Sequence, residues 1–198
     1  MRKKVIVVAV VLLVASGAFY IFGRGVWYPL LLQIRGPRTV ADVVARYAAA
    51  TRKHLGPYFT RAGVAYPPKQ IALLVFKRER RLSLWARSGP NTPWRFIRHY
   101  PVLAASGHAG PKLRQGDYQV PEGVYRIEHL NPNSSYHLSM KVSYPNELDR
   151  RMAARDSRTS LGGDIFIHGD QVSIGCVAMG DPAIEELFTL VAETGHQR

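Results

Sequence analysis

One cysteine, Cys176, occurs in the 198 residues, and His168 stands eight positions before it. The stretch from Ile165 reads I-F-I-H-G-D-Q-V-S-I-G-C-V-A-M, ending at Met179. A lone cysteine cannot close an internal disulfide. With a histidine nearby, just past an apolar run, it has the layout of a thiol nucleophile and its base. The thiolate is the reactive form, and a histidine partner lowers a thiol pKa from ~8.5 by several units. Cys176 is expected to attack, with His168 as general base and then as acid for a leaving amine. Ser173 either hydrogen-bonds near the histidine or the substrate, or is a turn hydroxyl. The competing reading of Cys176 is a buried, inert thiol.

Several elements must hold these groups. In an Asp164–His168 strand, Phe166 and His168 share one face and Ile165 and Ile167 the other. Gly169-Asp170-Gln171 can turn the chain, and Val172–Cys176 is expected to return alongside as the second arm of a hairpin. Ile71–Phe76 and Leu82–Trp85 flank a charged Lys77–Arg81 turn and read as another hairpin, its turn solvated. Further strands are expected over Arg95–Val102, Gly123–Leu130 and Tyr136–Ser143, with a short helix over Pro145–Arg155. Thr39 opens a helix with Asp42 in a capping-box position. Its apolar stripe (Val40, Val43, Val44, Tyr47, Ala48, Thr51, Leu55) reads as a packing face, and Gly56-Pro57 is expected to end it. Asp181-Pro182 reads as N-cap and first helical residue of a closing helix, with Ile184, Leu187, Phe188 and Val191 on its apolar face. These periods predict a β-rich α+β domain.

The start of the chain bears on the compartment. Arg2-Lys3-Lys4 precedes Val5–Gly23, which carries no charge. Nineteen such residues span ~28 Å as a helix, close to the ~30 Å hydrocarbon core. A signal-anchor or a signal peptide cleaved near Ser16-Gly17-Ala18 is expected over residues 1–24, with the domain outside the cytoplasm and anchored in the inner membrane. Residues 25–68 are expected to be a tether and an N-terminal helix, with Trp27 and Tyr28 at the membrane interface, and 69–198 the catalytic domain. In an oxidising compartment an unpaired cysteine is a liability unless it has a task. The formal charge of +13 suits polyanions such as phospholipid headgroups and acidic wall polymers, or plain solubility. No zinc-finger, RNP-like or helix-turn-helix pattern accompanies it, so no nucleic-acid partner is expected. The seven histidines show no H-x-x-x-H or H-E-x-x-H spacing, and neither metal nor organic cofactor is expected. His54, His99, His108, His129 and His196 read as incidental.

The order His168-Gly169, Ser173-Ile174-Gly175-Cys176, Met179 resembles the active-site motif of the L,D-transpeptidases, the YkuD family, which act on bacterial peptidoglycan. Gly116-Asp117 and Pro121-Glu122-Gly123-Val124-Tyr125 are similar to that family's G-D-x-x-T-P-E-G-x-Y segment. Asn131-Pro132-Asn133-Ser134, Tyr136-His137-Leu138 and Ser143-Tyr144-Pro145-Asn146 look like its YafK branch. Together the blocks cover roughly Lys69 to the C-terminus. The gap from histidine to S-x-G-C is shorter than most members have, and Ala178 stands where most carry Arg or Asn. Both departures fit the YafK-like branch.

The resemblance implies the β-sandwich-type L,D-transpeptidase fold with flanking helices. It implies a thioester formed on Cys176 with the carbonyl after the L-centre of the stem-peptide diamino acid, resolved by an amine or by water. The bond cut in the YafK-like alternative joins diaminopimelate to an envelope lipoprotein. The Gly169 carbonyl is implied to hold the imidazole tautomer, and the Gly175 and Cys176 amides to form an oxyanion hole. Tyr136, His137, Asp117 and Lys112, with Arg114, are candidate substrate contacts. For the three loop charges, simple solvation is the alternative. A non-catalytic wall-binding module is the reading from another class, and a sortase lacks its T-L-x-T-C block here.

Overall fold

The computed structural model describes residues 2–195, with the backbone alone for Arg2, Lys3, Ile21, Phe22, Arg24, Gly25 and Pro29. His196 lies outside the described residues. The chain divides into two compact units, Met1–Pro37 and Arg38–Arg198.

The first unit holds helices α1 (Arg2–Phe22) and α2 (Arg24–Arg35). The expected tether after residue 24 is therefore helical. Trp27 stacks on Tyr20 with centroids 5.3 Å apart and donates its indole N–H to the Tyr20 carbonyl. Among the described residues no helix is long and apolar enough to cross a membrane. The expected membrane segment thus forms a helix but gains no support as a spanning one.

The second unit begins with α3 (Val40–Ala62), then β1 (Gln70–Phe76), β2 (Arg81–Arg87), β3 (Arg95–Pro101), β4 (Ala104–Ala105), β5 (Ile127–Asn131), β6 (Ser139–Val142), α4 (Glu147–Arg155), β7 (Phe166–His168), β8 (Val177–Ala178) and α5 (Asp181–Thr194). Thr39 caps α3 through a reciprocal capping box with Asp42. Pro57 does not end this helix, which continues to a left-handed cap at Gly63. A proline removes the N–H that would bond to Lys53, but Pro57 and Lys53 are both on the exposed side. Burial of Leu55 and Phe59 on the opposite side carries the helix through. The unit is a mixed α+β domain, helices α3, α4 and α5 with strands β1–β8.

Two sheets share the core. One is β1-β2-β3 and antiparallel, and it contains the expected hairpin. The other has the order β4-β8-β7-β6-β5. Leu82, Leu84 and Ile97 from the first sheet join Leu130, Met140, Ile167 and Val177 from the second in one buried cluster. Val43, Leu55 and Phe59 of α3 complete it with Ile184, Leu187, Phe188 and Val191 of α5. The apolar stripe read along the closing helix is thus its core face. Its N-cap is Gly180 rather than Asp181, because the Asp181 carboxylate is engaged elsewhere.

Candidate active site

The short strand β8 lies between β7 and β4, and this arrangement gathers the site. β7 pairs with β8 in parallel, Ile167 beside Val177 and His168 beside Ala178. The expected antiparallel hairpin is therefore replaced by a loop, residues 169–176, that returns the chain to run the same way as β7. β4 pairs antiparallel on the other side, Ala105 beside Val177. Extending both registers by one residue brings Phe166 and Ser106 level with Cys176.

His168 is buried, with 2% of its surface exposed. Its Nδ1 lies 2.5 Å from the Gly169 carbonyl oxygen. A carbonyl can only accept, so Nδ1 carries the proton and Nε2 presents its lone pair. Tyr136 covers the ring, with centroids 4.6 Å apart. Gly169 has no room for a side chain: a Cβ there would come within 2.6 Å of Asp181 Oδ1 and 2.7 Å of the Tyr136 carbonyl. Asp181 Oδ1 also accepts the Asp170 N–H at 2.8 Å, which ties the loop to the start of α5. The role of Asp181 as a tether was hidden by its resemblance to an N-cap.

Cys176 is half-buried. Its Sγ has the Asp164 carbonyl as partner at 3.9 Å and makes no hydrogen bond to His168. Burial pushes the thiol above its ordinary value, while a hydrogen bond with the Phe166 backbone and the nearby Lys112 cation act in the opposite direction. Burial likewise lowers the His168 pKa, against the Gly169 carbonyl and Asp170, which raise it. Burial thus disfavours the charged form of each group and works against the low thiol pKa expected of a histidine-paired cysteine.

The expected oxyanion amides are both engaged. Gly175, buried and at φ +99° in the region that favours glycine, donates its N–H to Ser106 Oγ at 2.5 Å. The Cys176 N–H donates to Ser173 Oγ at 3.1 Å, and Ser173 donates to the Cys176 carbonyl at 2.5 Å. Ser173 thus closes a turn around the cysteine.

The candidate substrate contacts divide. Tyr136 is 42% exposed beside His168. His137 instead hydrogen-bonds Glu185 of α5 at 2.7 Å and meets Tyr47 edge-on. Lys112 and Asp117 bind each other, Nζ to Oδ1 at 2.6 Å, with side-chain exposures of 6% and 13%. The Leu113 and Arg114 amides donate to Asp117 Oδ2, and the Gln119 amide to Oδ1. Burial alone would raise the Asp117 pKa, but Lys112 and these amides hold it well below the usual carboxylate range. The pair organises its own loop and does not face outward. Lys77 also departs from the solvated turn expected of it. It donates to the Gly110 and Val120 carbonyls and pairs with Glu122 at 2.8 Å. Of the histidines read as incidental, His54 pairs with Glu186 and His99 hydrogen-bonds Ser83 Oγ at 2.9 Å.

A two-sheet domain with a carbonyl-oriented imidazole on one strand and a thiol just ahead of the strand beside it can host a thiol nucleophile and its base. The profile of the L,D-transpeptidase catalytic domain, YkuD, matches residues 70–195, and the chain belongs to that family. YafK of Escherichia coli (strain K12), an L,D-transpeptidase only provisionally by name, is 37% identical over 123 residues, 61% of this chain and 47% of its own length. The YafK of Escherichia coli O157:H7 matches to the same extent. The chain thus spans about half the length of these curated relatives. Among solved structures, Bd1075 of Bdellovibrio bacteriovorus is similar at TM-score 0.41 and 26% identity, covering 59% of this chain and 41% of its own. The helical cell shape determining protein Pgp2 of Campylobacter jejuni is similar at TM-score 0.48 and 21% identity, covering 69% and 51%.

Proposed function

We propose that this protein is a cell-envelope cysteine enzyme that acts on peptidoglycan stem peptides through a thioester. The observation that carries this reading is the imidazole held by the Gly169 carbonyl, one strand from the chain's single cysteine in a domain of the YkuD family. His168 Nε2 takes the Cys176 proton as Sγ attacks the carbonyl that follows the L-centre of the diamino acid. The S–C bond forms, and the carbonyl π pair moves to oxygen. When that pair returns, the C–N bond breaks and the leaving amine takes the proton from His168. An amine or water then attacks the thioester, His168 again handling the proton.

Hydrolysis is the second reading, favoured by Ala178. The position is fully buried in β8 between His168 and Ala104, so it presents no Arg or Asn to an incoming amine. The bond cut would then join the stem peptide to an envelope lipoprotein. Attachment to the inner membrane through Val5–Gly23 belongs to the same proposal and rests on the basic flank and uncharged run of the sequence. Recovery of the full chain in the membrane fraction after high-salt washing supports attachment, and release by salt opposes it.

The test is mass spectrometry of peptidoglycan, with and without attached lipoprotein, after incubation with residues 38–198 or their Cys176→Ala variant. Cys176-dependent new or exchanged stems support transpeptidation. Loss of lipoprotein-linked stems without new crosslinks supports hydrolysis. No Cys176-dependent change favours a wall-binding module.

A further inference from the structure

Ser106 has no place in the reading so far, yet its hydroxyl is the hydrogen-bond partner of the residue next to the nucleophile. It follows β4 directly, and the β4–β8 register sets it level with Cys176. Its hydroxyl hydrogen goes to the Tyr118 carbonyl at 2.8 Å. The oxygen is therefore left as an acceptor, and the Gly175 N–H meets it at 2.5 Å. Ser173 Oγ accepts the next amide, that of Cys176, and lies 3.5 Å from Ser106 Oγ. Two consecutive amides beside the thiol thus point at two neighbouring hydroxyl oxygens. These contacts fix the orientation of both amides, so the backbone needs no reorganisation when charge develops beside them.

The fixity of Ser106 is independent of the nucleophile loop. The segment from 106 to 123 is held by the buried Lys112–Asp117 pair and by Lys77 on the carbonyls of Gly110 and Val120. The Gln115 amide is bonded to the Ser160 carbonyl at 3.0 Å. Ser106 therefore couples a braced loop to a glycine whose φ of +99° lies where few backbones rest.

We propose that Ser106 is a positioning residue of the acyl-transfer site: its hydroxyl, fixed by the Tyr118 carbonyl, holds the Gly175 amide in the orientation that the tetrahedral oxyanion requires. When Sγ attacks, the carbonyl oxygen becomes the oxyanion and shares the Gly175 N–H with the serine oxygen in a three-centre hydrogen bond. The serine keeps its own hydrogen on Tyr118, and no proton leaves it. This inference rests on the proposed thioester chemistry.

The test separates acylation from simple thiol reactivity. Iodoacetamide alkylates Cys176 by displacement at carbon and forms no oxyanion, whereas turnover of purified disaccharide–tetrapeptide muropeptides does. Loss of an oxyanion donor costs ~10²–10³ in kcat, so loss of its positioning partner is expected to cost roughly 10–100-fold. Ser106→Ala should lower kcat by that factor with KM and the alkylation rate within about twofold of the wild type. Ser106→Thr, which keeps the hydroxyl, should recover most of kcat, and it carries the test if the alanine variant fails to fold. Unchanged kcat in a folded Ser106→Ala overturns the inference alone. So does alkylation slowed by the same factor as turnover, or a folded Ser106→Thr that is ~10–100-fold slow. A wild-type chain that is alkylated but turns over neither this muropeptide nor a lipoprotein-linked stem overturns the thioester chemistry and this inference with it.

Discussion

The buried Lys112–Asp117 pair should be asymmetric, and the asymmetry follows from what each partner keeps when the other is removed. Asp117→Ala leaves the Lys112 ammonium 7% exposed with only the Arg114 carbonyl, at 2.9 Å, to hold it. Breaking a buried pair in this way costs about 3–5 kcal/mol. It also removes the acceptor from three backbone amides. Lys112→Met leaves a carboxylate that still accepts those three N–H bonds, so the cost should be nearer ~2 kcal/mol. At roughly 2–4 °C per kcal/mol for a domain of this size, the melting temperature should fall by about 10 °C and about 5 °C respectively. The double variant should be less damaged than Asp117→Ala, because no buried charge remains. The sign with pH is also fixed. Asp117 is held below its unfolded value of ~3.9, so its contribution is present above that pH and lost as pH falls through the folded value. The gap between wild type and Asp117→Ala should therefore persist from neutral pH to about 5 and close only in strong acid. Differential scanning calorimetry at several pH values measures all of this. Equal losses for the two single variants, a reversed order, or a gap that closes near neutrality would refute the reasoning.

Other outcomes follow from the same geometry. Alkylation of Cys176 should accelerate only on the alkaline side, because burial raises the thiol, and Lys112→Met should move the rise further up by removing a cation that favours the thiolate. A stopped-assay pH profile checks both. His168 is lowered by burial, so its neutral form stabilises the fold above ~6.5, and that contribution is lost as pH falls toward the depressed folded value. His168→Gln should consequently lose less stability than the wild type between about pH 7 and 5, as read by urea denaturation. Gly169→Ala should lower turnover far more than thermal stability, because its Cβ would press on the Asp181 carboxylate and the Tyr136 carbonyl and swing the carbonyl that holds the imidazole. Phe188→Ala, fully buried between the sheets and α3, should cost about 3–5 kcal/mol in denaturant melts.

Local chemistry in the sequence foretold a good part of this arrangement. The capping box at Thr39 and the apolar stripe of α5 were legible because each is written within a few residues. So was the β1–β2 hairpin, whose charged turn separates two apolar runs. The helix through Pro57 was not, since the proline's penalty is visible locally and the compensating burial of Phe59 is not. The parallel pairing of β7 with β8 was equally hidden. Two strands of 3 and 2 residues carry too little periodicity to reveal direction, and only β4 on the far side fixes where β8 sits. At the site, the cysteine, histidine and Gly169 stood out by type and spacing. Ser106 did not, because a serine in a Gly-rich loop 70 residues upstream of the cysteine gives no signal until the sheet closes. Lys112 and Asp117 looked like surface charge for a related reason: their mutual burial depends on how the 106–123 loop folds back on itself.

The central claim is that Cys176 carries the acyl group. Intact-mass measurement of residues 38–198, quenched in acid seconds after mixing with disaccharide–tetrapeptide, tests it most directly. The account predicts an adduct of the muropeptide less its departing residue, confined to the peptide bearing Cys176, labile to hydroxylamine, and absent from Cys176→Ala. Turnover of the same muropeptide by Cys176→Ala, or an adduct mapped to any other residue, would contradict it.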